Sequence, residues 1–241
     1  IAEQLTFHEA VGLRNAPARV REALIPLSFR QMASGIAAFR PDVVHQHFAN
    51  WPQPALRAAA RADTPLIMTT HGSDVWAAEA APRGVRARYH GEAIRAALAR
   101  ADQVLAVSRF LASRVERFVR DAGRLRVHYQ GIDTDFFSPA PAAPAKRPVV
   151  LFAGVLAPRK GVLDLLEASI RLRADRDHEV RLIGTGPLAA TVDELASEHA
   201  HISALGSLDR EQVREEMRRA HVLVLPTQSE GGWTEAAGLV L

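Results

Sequence analysis

Short apolar runs alternate along the chain with longer segments in which apolar residues recur at the spacing of an α-helix. The apolar runs predict strands at 41–47, 65–71, 103–108, 126–130, 149–154, 179–184, 202–206 and 222–225. The longer segments predict helices at 51–62, 85–100, 109–121, 161–174, 187–198 and 209–220. Strands that alternate with helices of about ten residues or more indicate βαβ units. The fold class is therefore predicted to be α/β, with parallel sheets.

A proline-rich stretch at 138–148 separates two runs of this alternation. Proline continues neither a helix nor a central strand, so this stretch predicts a linker. We expect two Rossmann-like domains, at 1–143 and 144–241. The first lacks an opening strand with its glycine loop, and the second stops on the apolar run 239–241. Both domains are therefore expected to be incomplete.

The sequence allows more detailed predictions of local structure in two regions. Residues 1–40 indicate a helix whose pattern is broken at Pro17 and Pro26. The apolar run 222–225, bounded by Pro226, is typical of a strand buried on both faces of a parallel sheet.

The composition narrows the class of protein. A hydrophobic fraction of 48% with 24% charged residues is ordinary for a soluble globular chain. No apolar run approaches the roughly 20 residues that span a bilayer, and no basic region precedes an apolar core as in a signal peptide. The chain has no cysteine, which excludes disulfides and thiolate chemistry and suits a reducing cytoplasm. The expected location is cytoplasmic.

The net charge of +3 is unevenly distributed, with a basic first half and a slightly acidic second half. A basic surface can contact an anionic membrane or a nucleic acid, or it can be solvated with no partner. Aromatic residues make up only 6% and are not interleaved with the basic ones. This argues against a nucleic-acid platform. An anionic membrane surface therefore stays open as a partner, and no nucleic acid is expected.

Three turns follow strands of the second domain, and the carboxyl ends of parallel strands line the ligand crevice of an open α/β sheet. The first turn contains Gly154, Arg159 and Lys160. The glycine lets backbone approach a ligand, and the two cations can neutralise a diphosphate. The alternative is a solvated pair at a helix start, although two cations there oppose the helix dipole.

The other two turns carry glycines and one carboxylate. The second turn contains Gly184, Gly186 and Pro187, with the proline suited to the first position of a helix. Its formal match to a dinucleotide-binding glycine motif is weak by itself. The third turn contains Glu235 in the first turn of a predicted helix, followed by Gly238. A strand, a glycine loop and a helix N-terminus suit a polar ligand, and a simple helix cap is the alternative.

In the first domain His47 and His71 both end predicted strands, so both can point into one crevice. The turn after His71 exposes its ring, and Asp74 could orient that ring or meet a substrate hydroxyl. A structural hydrogen-bonding role is the alternative. The chain shows no nucleophile elbow, P-loop or metal-ligand spacing, so no metal is expected.

Seven short motifs occur in one order along the chain. They are P-D-V-V-H-Q-H at 41–47, H-G-S-D at 71–74, A-V-S at 106–108, G-I-D-T-D-F at 131–136, F-A-G with P-R-K-G at 152–161, G-T-G-P at 184–187 and P with E at 226–235. In this order the chain resembles the retaining GT-B glycosyltransferases of the family-four type. The stretch 128–133 is similar to members that build bacterial exopolysaccharide or lipopolysaccharide.

The resemblance implies two Rossmann-like domains that face a cleft, with a nucleotide sugar held mainly by the second domain and an acceptor mainly by the first. Lys160 would bind the donor diphosphate. Glu235 would be the first glutamate of E-x7-E and contact the transferred sugar, while His71 would approach that sugar from the other domain. One departure is Val155, which stands where many members have an arginine that completes the phosphate clamp.

The remaining candidates follow the same division. Gly184, Gly186 and Pro187 would border the base, and Gly154, Arg159 and Gly238 are further donor-binding candidates. His47 and Asp74 are candidates on the acceptor side.

The function implied is a retaining hexosyltransferase that uses a nucleotide diphosphate sugar and a glycan or lipid-linked acceptor in cell-surface polysaccharide synthesis. It would be cytoplasmic, or peripheral at the inner face of the membrane, and would need no cofactor or metal. A nucleotide-sugar epimerase or hydrolase, or a non-catalytic nucleotide-sugar binding module, are the alternatives. The transferase hypothesis predicts that His71, Lys160 and Glu235 open onto one interdomain cleft.

Overall fold

A computed structural model describes residues 18–81, 84–139, 147–229 and 235–236, with side chains from Phe29 onward. The chain divides into two compact units, Ile1–Tyr129 and Gln130–Leu241. No helix in the described part of the chain is both long enough and apolar enough to cross a membrane.

The division falls earlier in the chain than the predicted domain boundary after residue 143. Residues that follow Tyr129 pack on a helix of the second unit. Arg210 lies with its guanidinium 4.2 Å from the centre of the Phe136 ring. Arg218 donates through Nε to the carbonyl oxygen of Ser138 at 3.0 Å. These contacts attach the beginning of the predicted linker to the second unit.

The first unit is an α/β unit whose four parallel strands lie in the order β1-β2-β3-β4. Its elements are α1 (Ala18–Phe39), β1 (Val44–His47), α2 (Gln53–Ala62), β2 (Leu66–Thr70), α3 (Ser73–Glu79), α4 (Val85–Arg100), β3 (Gln103–Ala106), α5 (Arg109–Val115) and β4 (Leu125–Val127). The core is made by fully buried residues from the sheet and the helices, among them Met68, Ile94, Leu98, Val104 and Leu111.

Two local predictions for the first unit were wrong, and one helix was missed. Helix α1 continues through Pro26. Helix α5 ends at Val115 and is followed by short 3-10 turns, where a helix to residue 121 was predicted. Helix α3 was not predicted at all, since the turn at 72–74 gave no sign that a helix begins at Ser73.

The second unit repeats the architecture, with four parallel strands in the order β7-β6-β5-β8. Its elements are β5 (Val149–Ala153), α6 (Val162–Leu172), β6 (Glu179–Ile183), α7 (Ala189–Glu198), β7 (Ile202–Gly206), α8 (Arg210–Arg219) and β8 (Val222–Leu223). One face of the sheet packs through Phe152, Val180 and Leu182. The other face packs through Leu151 and Ile183. The predicted order of elements is confirmed in both units.

The burial predicted for strand β8 was wrong. Val222 is 52% exposed, and Leu223 is only partly buried. Among the described residues β8 pairs with β5 alone, because it lies at the edge of the sheet. The carboxyl ends of β5, β6 and β8 nevertheless lead into the three predicted turns, so the sheet gives these turns a common edge.

A buried polar network lies at the opposite, amino end of this sheet. Ser169, His178 and His201 are all less than 9% exposed. His178 Nδ1 lies 2.9 Å from the carbonyl oxygen of Arg176, which can only accept. With Nδ1 as the donor, Nε2 of His178 can accept the Ser169 hydroxyl at 2.8 Å. The serine oxygen can then accept from His201 Nε2 at 3.1 Å, so the network links both rings through one hydroxyl.

This network makes folding sensitive to acid. Burial lowers the pKa of His201 below its usual 6.5, and the nearby His178, Arg173 and His199 lower it further. The unfolded chain then binds the proton more readily, so the contribution to stability is complete above the ordinary pKa and declines as the pH falls below it. We expect the free energy of unfolding to decrease between about pH 7.5 and about pH 5.5. In His201→Gln, measured by chemical denaturation, this decrease should be shallower.

The matched control is His128→Gln, which changes an exposed histidine in the first unit. It should leave the slope of stability against pH close to that of the unaltered protein. An equal slope in His201→Gln would show that the network is not the source of the acid sensitivity.

Candidate functional site

The first two predicted turns of the second unit lie back to back. Gly184 has φ of +137°, and a Cβ built on it would lie 1.9 Å from the carbonyl oxygen of Gly154. Gly154 in turn donates its N–H to the carbonyl oxygen of Ile183 at 3.0 Å. Only glycine permits this approach at residue 184, because any side chain would overlap backbone. The second turn therefore fixes the position of the first turn and of the charged residues that the first turn carries.

Gly186 makes a similar approach to the following part of the first turn. It has φ of +157°, and a Cβ there would lie 2.5 Å from the carbonyl oxygen of Leu156. Leu156 N donates to the carbonyl oxygen of Thr185 at 2.9 Å. Pro187 was predicted at the first helical position, but α7 begins at Ala189 with Leu188 as its cap. The proline thus belongs to the turn itself.

The third turn is held against the first through another glycine. Gly161 has φ of +66°, and a Cβ there would lie 2.0 Å from the carbonyl oxygen of Pro226. The backbone N–H of Gln228 donates to the carbonyl oxygen of Arg159 at 2.9 Å. The Gln228 side chain also donates to the carboxylate of Asp164 at 2.6 Å. These contacts fix the path of the chain after β8.

An ion pair joins the first and third turns. Lys160 Nζ lies 2.5 Å from Glu235 Oε2, and the two side chains are 16% and 30% exposed. Two groups that the resemblance assigned to neighbouring parts of one ligand are thus in contact. A partly buried pair of opposite charges can exchange partners when a ligand brings its own anion and its own hydroxyl donors. The pair is therefore placed to bind a ligand that has both.

The remaining donor-side residues lie around this pair. Arg159 is exposed in the short 3-10 turn Pro158–Lys160 that precedes α6. Val155, which replaces the arginine implied by the resemblance, is 50% exposed. Gly238 lies outside the described residues, as does the helix predicted to begin around Glu235 except for residues 235–236, which are not helical.

The first unit places its candidates at the carboxyl edge of its own sheet. His47 Nδ1 lies 3.0 Å from His71 Nε2, so the two predicted histidines are in direct contact. Burial lowers the pKa of His71, as does His47, while Asp74 opposes the shift. The net effect favours the neutral ring at physiological pH, which can donate at one nitrogen and accept at the other.

Asp74 has a structural role in the fold, and its predicted place on the acceptor side stays a prediction. It is fully buried. Its Oδ1 accepts from the backbone N–H groups of His71, Gly72 and Val75 at 3.0–3.1 Å. Its Oδ2 accepts from Ala49 N at 2.9 Å. The carboxylate therefore links the backbone after β1 to the backbone after β2.

Sequence reasoning missed three residues that shape these two edges. Gln228 links the third turn to α6. Phe48 stacks on His71 with ring centres 4.3 Å apart, and Gln46 binds the loop that carries it. Gln46 interrupts an otherwise apolar and histidine-rich strand, and this interruption could have identified it from the sequence. No pattern in the neighbouring sequence indicated Gln228 or Phe48.

The fold of the chain is that of the GT-B glycosyltransferases. Sucrose-phosphate synthase from Thermosynechococcus elongatus superposes with a TM-score of 0.71 at 21% identity, over 96% of this chain and 60% of that one. Anabaena HepE, solved in complex with UDP and glucose, superposes with a TM-score of 0.63 at 18% identity, over 90% of this chain and 60% of that one. The predicted GT-B class is thereby confirmed.

The family follows from the sequence comparisons. Residues 3–136 match Glycosyltransferase Family 4, and residues 133–241 match Glycosyl transferases group 1. The chain belongs to Glycosyltransferase Family 4. A GDP-mannose-dependent phosphatidylinositol monomannoside mannosyltransferase of Mycolicibacterium smegmatis is 30% identical over 199 residues, which are 77% of this chain and 49% of that protein. The chain spans about half the length of the curated relatives it matches.

The close approach at Gly161 predicts an unequal response to the same substitution at two glycines. Gly161 and Gly206 both have φ of +66°, but nothing lies within 4 Å of a Cβ at Gly206. Gly206→Ala should cost only the left-handed backbone strain of about 1–2 kcal/mol. Gly161→Ala should cost about 1–3 kcal/mol more, as is typical of overpacking. The measurement is the free energy of unfolding of both variants in denaturant, and equal losses would contradict the constraint at Pro226.

Proposed function

We propose that this protein is a retaining hexosyltransferase, which moves a hexose from a nucleotide diphosphate sugar to a glycan or lipid-linked acceptor. The observation that carries the proposal is the contact between Lys160 and Glu235 at the carboxyl edge of the second sheet. Membership of the family and the resemblance of the turn motifs support the same reaction.

The donor would bind by taking over both members of this ion pair. Its diphosphate offers Lys160 a stronger anionic partner than one carboxylate, and hydrogen bonds to charged groups are the stronger class. Glu235 would then accept hydrogen bonds from hydroxyls of the sugar. The exposed Arg159 lies on the same turn and would add a second cation. Negative charge grows on the diphosphate as the sugar departs, so these cations act chiefly in the transition state.

The base of the nucleotide would lie along the second turn. Gly184 and Gly186 hold this turn against the first turn, while Thr185 and Pro187 are exposed on it. HepE was solved with UDP and glucose, and the mycobacterial relative is named for GDP-mannose. Each combines a nucleoside diphosphate with a hexose, as two separate molecules in HepE and as one nucleotide sugar in GDP-mannose. This supports the class of donor and leaves the base to be determined with a panel of donors.

His71 would act on the sugar as a neutral ring. In that form it can share a hydrogen bond with a hydroxyl or with the departing phosphate oxygen. The shared cleft of His71, Lys160 and Glu235 stays a prediction, as does a reaction without a metal. The half-exposed Val155 in place of an arginine favours the second candidate, a module that binds nucleotide sugars without turning them over.

The two charged residues should be separable by substitution. Lys160→Ala should weaken nucleoside diphosphate binding about tenfold or more, because a hydrogen bond to a charged group contributes about 1.5–3 kcal/mol. Glu235→Gln should reduce turnover far more than nucleoside diphosphate affinity, because its partner is the sugar. The measurements are calorimetric binding of UDP, GDP and ADP, and mass-spectrometric assay of sugar transfer or hydrolysis, on the full-length protein.

Arg171→Ala is the matched control, because it removes an exposed cation of α6 whose partner is Glu167. It should change neither quantity. Unchanged nucleotide affinity in Lys160→Ala would remove this residue from the site. Binding without turnover in the unaltered protein would favour the binding module, and hydrolysis or epimerisation without transfer would favour the other alternative.

The first unit also presents a surface that suits an anionic membrane. The first turns of α4 expose Val85 to 87% and Tyr89 to 60%. Arg86 and Arg88 are exposed beside them, and no acidic residue occurs in the first turn. Two cations and two apolar side chains on one helix start match the chemistry of an anionic lipid surface. We propose peripheral contact through this helix start.

This contact predicts salt-sensitive binding to vesicles. Attraction to anionic lipid contributes about 1 kcal/mol for each basic residue near the surface and is screened by salt. The protein should bind phosphatidylserine vesicles at low salt and not phosphatidylcholine vesicles in a flotation assay. The double variant Arg86→Glu, Arg88→Glu should lose this binding, whereas Arg171→Glu should not. Equal binding to both vesicle types would contradict the electrostatic account.

A further inference from the structure

A short segment between β1 and α2 adopts a backbone path that its residues disfavour. Phe48 and Trp51 have φ of +58° and +55°, in the left-handed region. Bulky side chains rarely occupy this region, and such outliers persist only where the surroundings over-determine them. Two questions therefore arise for the loop 48–51: which contacts hold its strained backbone, and what this backbone path positions.

The loop is held from three directions. The side-chain amide of Gln46 donates to the carbonyl oxygens of Phe48 and Asn50 at 2.8 and 2.9 Å. The N–H of Phe48 donates to Thr69 O at 2.9 Å. The N–H of Ala49 donates to the buried carboxylate of Asp74, whose other oxygen binds the backbone of His71. The loop and the residue after β2 are thus tied to one carboxylate.

The outcome of this arrangement is a stack of two rings. Phe48 lies over the His71 imidazole with ring centres 4.3 Å apart and an angle of 25° between the planes. His47 contacts the edge of the same imidazole through Nδ1 at 3.0 Å. Phe48 is still 42% exposed, so burial of its own apolar surface does not account for its position. Its closest described ring partner is His71.

We propose that Phe48 is a positioning residue for His71: the phenyl ring fixes the plane of the imidazole while His47 fixes which of its nitrogens is engaged. This inference rests on the proposed function in so far as His71 acts on the sugar. One face of the imidazole is covered by Phe48 and Nε2 lies against His47, so the plane of the ring is set before a ligand binds. A catalytic group must be held within a fraction of an ångström to be effective.

The charges around His71 agree with this role. Among the described residues, the ionisable groups that face it include His47 on β1 and Asp74 on α3, and His45 lies behind His47 with ring centres 4.5 Å apart. Burial lowers the pKa of His71, and the stack is part of that burial. A neutral ring has two tautomers, and the contact with His47 couples them, because one of the two facing nitrogens must donate and the other must accept.

The test removes the phenyl ring without straining the loop. Phe48→Gly suits a residue with positive φ, so it should fold, and Phe48→Tyr keeps the stack. In full-length protein labelled with ¹⁵N-histidine, His71 should show one tautomer in the unaltered chain and in Phe48→Tyr. In Phe48→Gly the imidazole loses its fixed plane and with it the aligned contact to His47, so His71 should average between two tautomers. The kcat of sugar transfer should fall about tenfold or more in Phe48→Gly, with the donor KM nearly unchanged.

Phe39→Gly is the matched control, because Phe39 is an exposed phenylalanine of the same unit at the end of α1. It should leave the His71 signals and the kcat unchanged. A single His71 tautomer in Phe48→Gly would overturn the proposal, and so would a kcat that stays unchanged in an active enzyme. If the His71 signals shift as expected but the unaltered protein transfers no sugar from any donor, the proposed function fails and the positioning of His71 by Phe48 stands.

Discussion

The candidate donor site depends on how closely three turns can approach one another at the carboxyl edge of the second sheet. Gly184 and Gly161 occupy places where a Cβ would overlap a carbonyl oxygen of the neighbouring turn. Backbone is less compliant than the end of a side chain, so these contacts set the turns in fixed positions. Lys160 directly precedes Gly161 and inherits its position from this constraint. The charged chemistry of the site is therefore a consequence of backbone packing.

Because the three turns are held in fixed positions, an ion pair between two of them is informative about the ligand that this edge can bind. Lys160 and Glu235 come from turns that follow different strands and lie 75 positions apart in sequence. Both side chains remain partly exposed, so the pair does not bear the full desolvation cost of a buried salt bridge. It can be opened by a ligand that supplies a diphosphate to one partner and hydroxyls to the other. A pair with no access to solvent would resist that exchange.

The sequence predicted the order of the elements well because apolar periodicity is a local property. Predictions failed where the answer depends on residues far away in the chain. Helix α3 begins beside Asp74, whose carboxylate is held by Ala49, 25 positions earlier. The exposure of Val222 follows from the edge position of β8, which an apolar run does not encode. Lys160 and Glu235 were identified by their motifs, but their contact required the fold.

Turns at the carboxyl edge of both sheets need positive φ, and in the first unit Gly72 shares this demand with two aromatic residues. In the second unit, the sharp approaches occur at glycines, which adopt positive φ without strain. In the first unit, Phe48 and Trp51 adopt positive φ although glycine would follow the same path more easily. Trp51 packs between Phe29 and His90, so its ring is used in the fold. Phe48 remains half-exposed, and the described ring it covers is that of His71. A side chain retained at a strained position is best explained by what that side chain contacts.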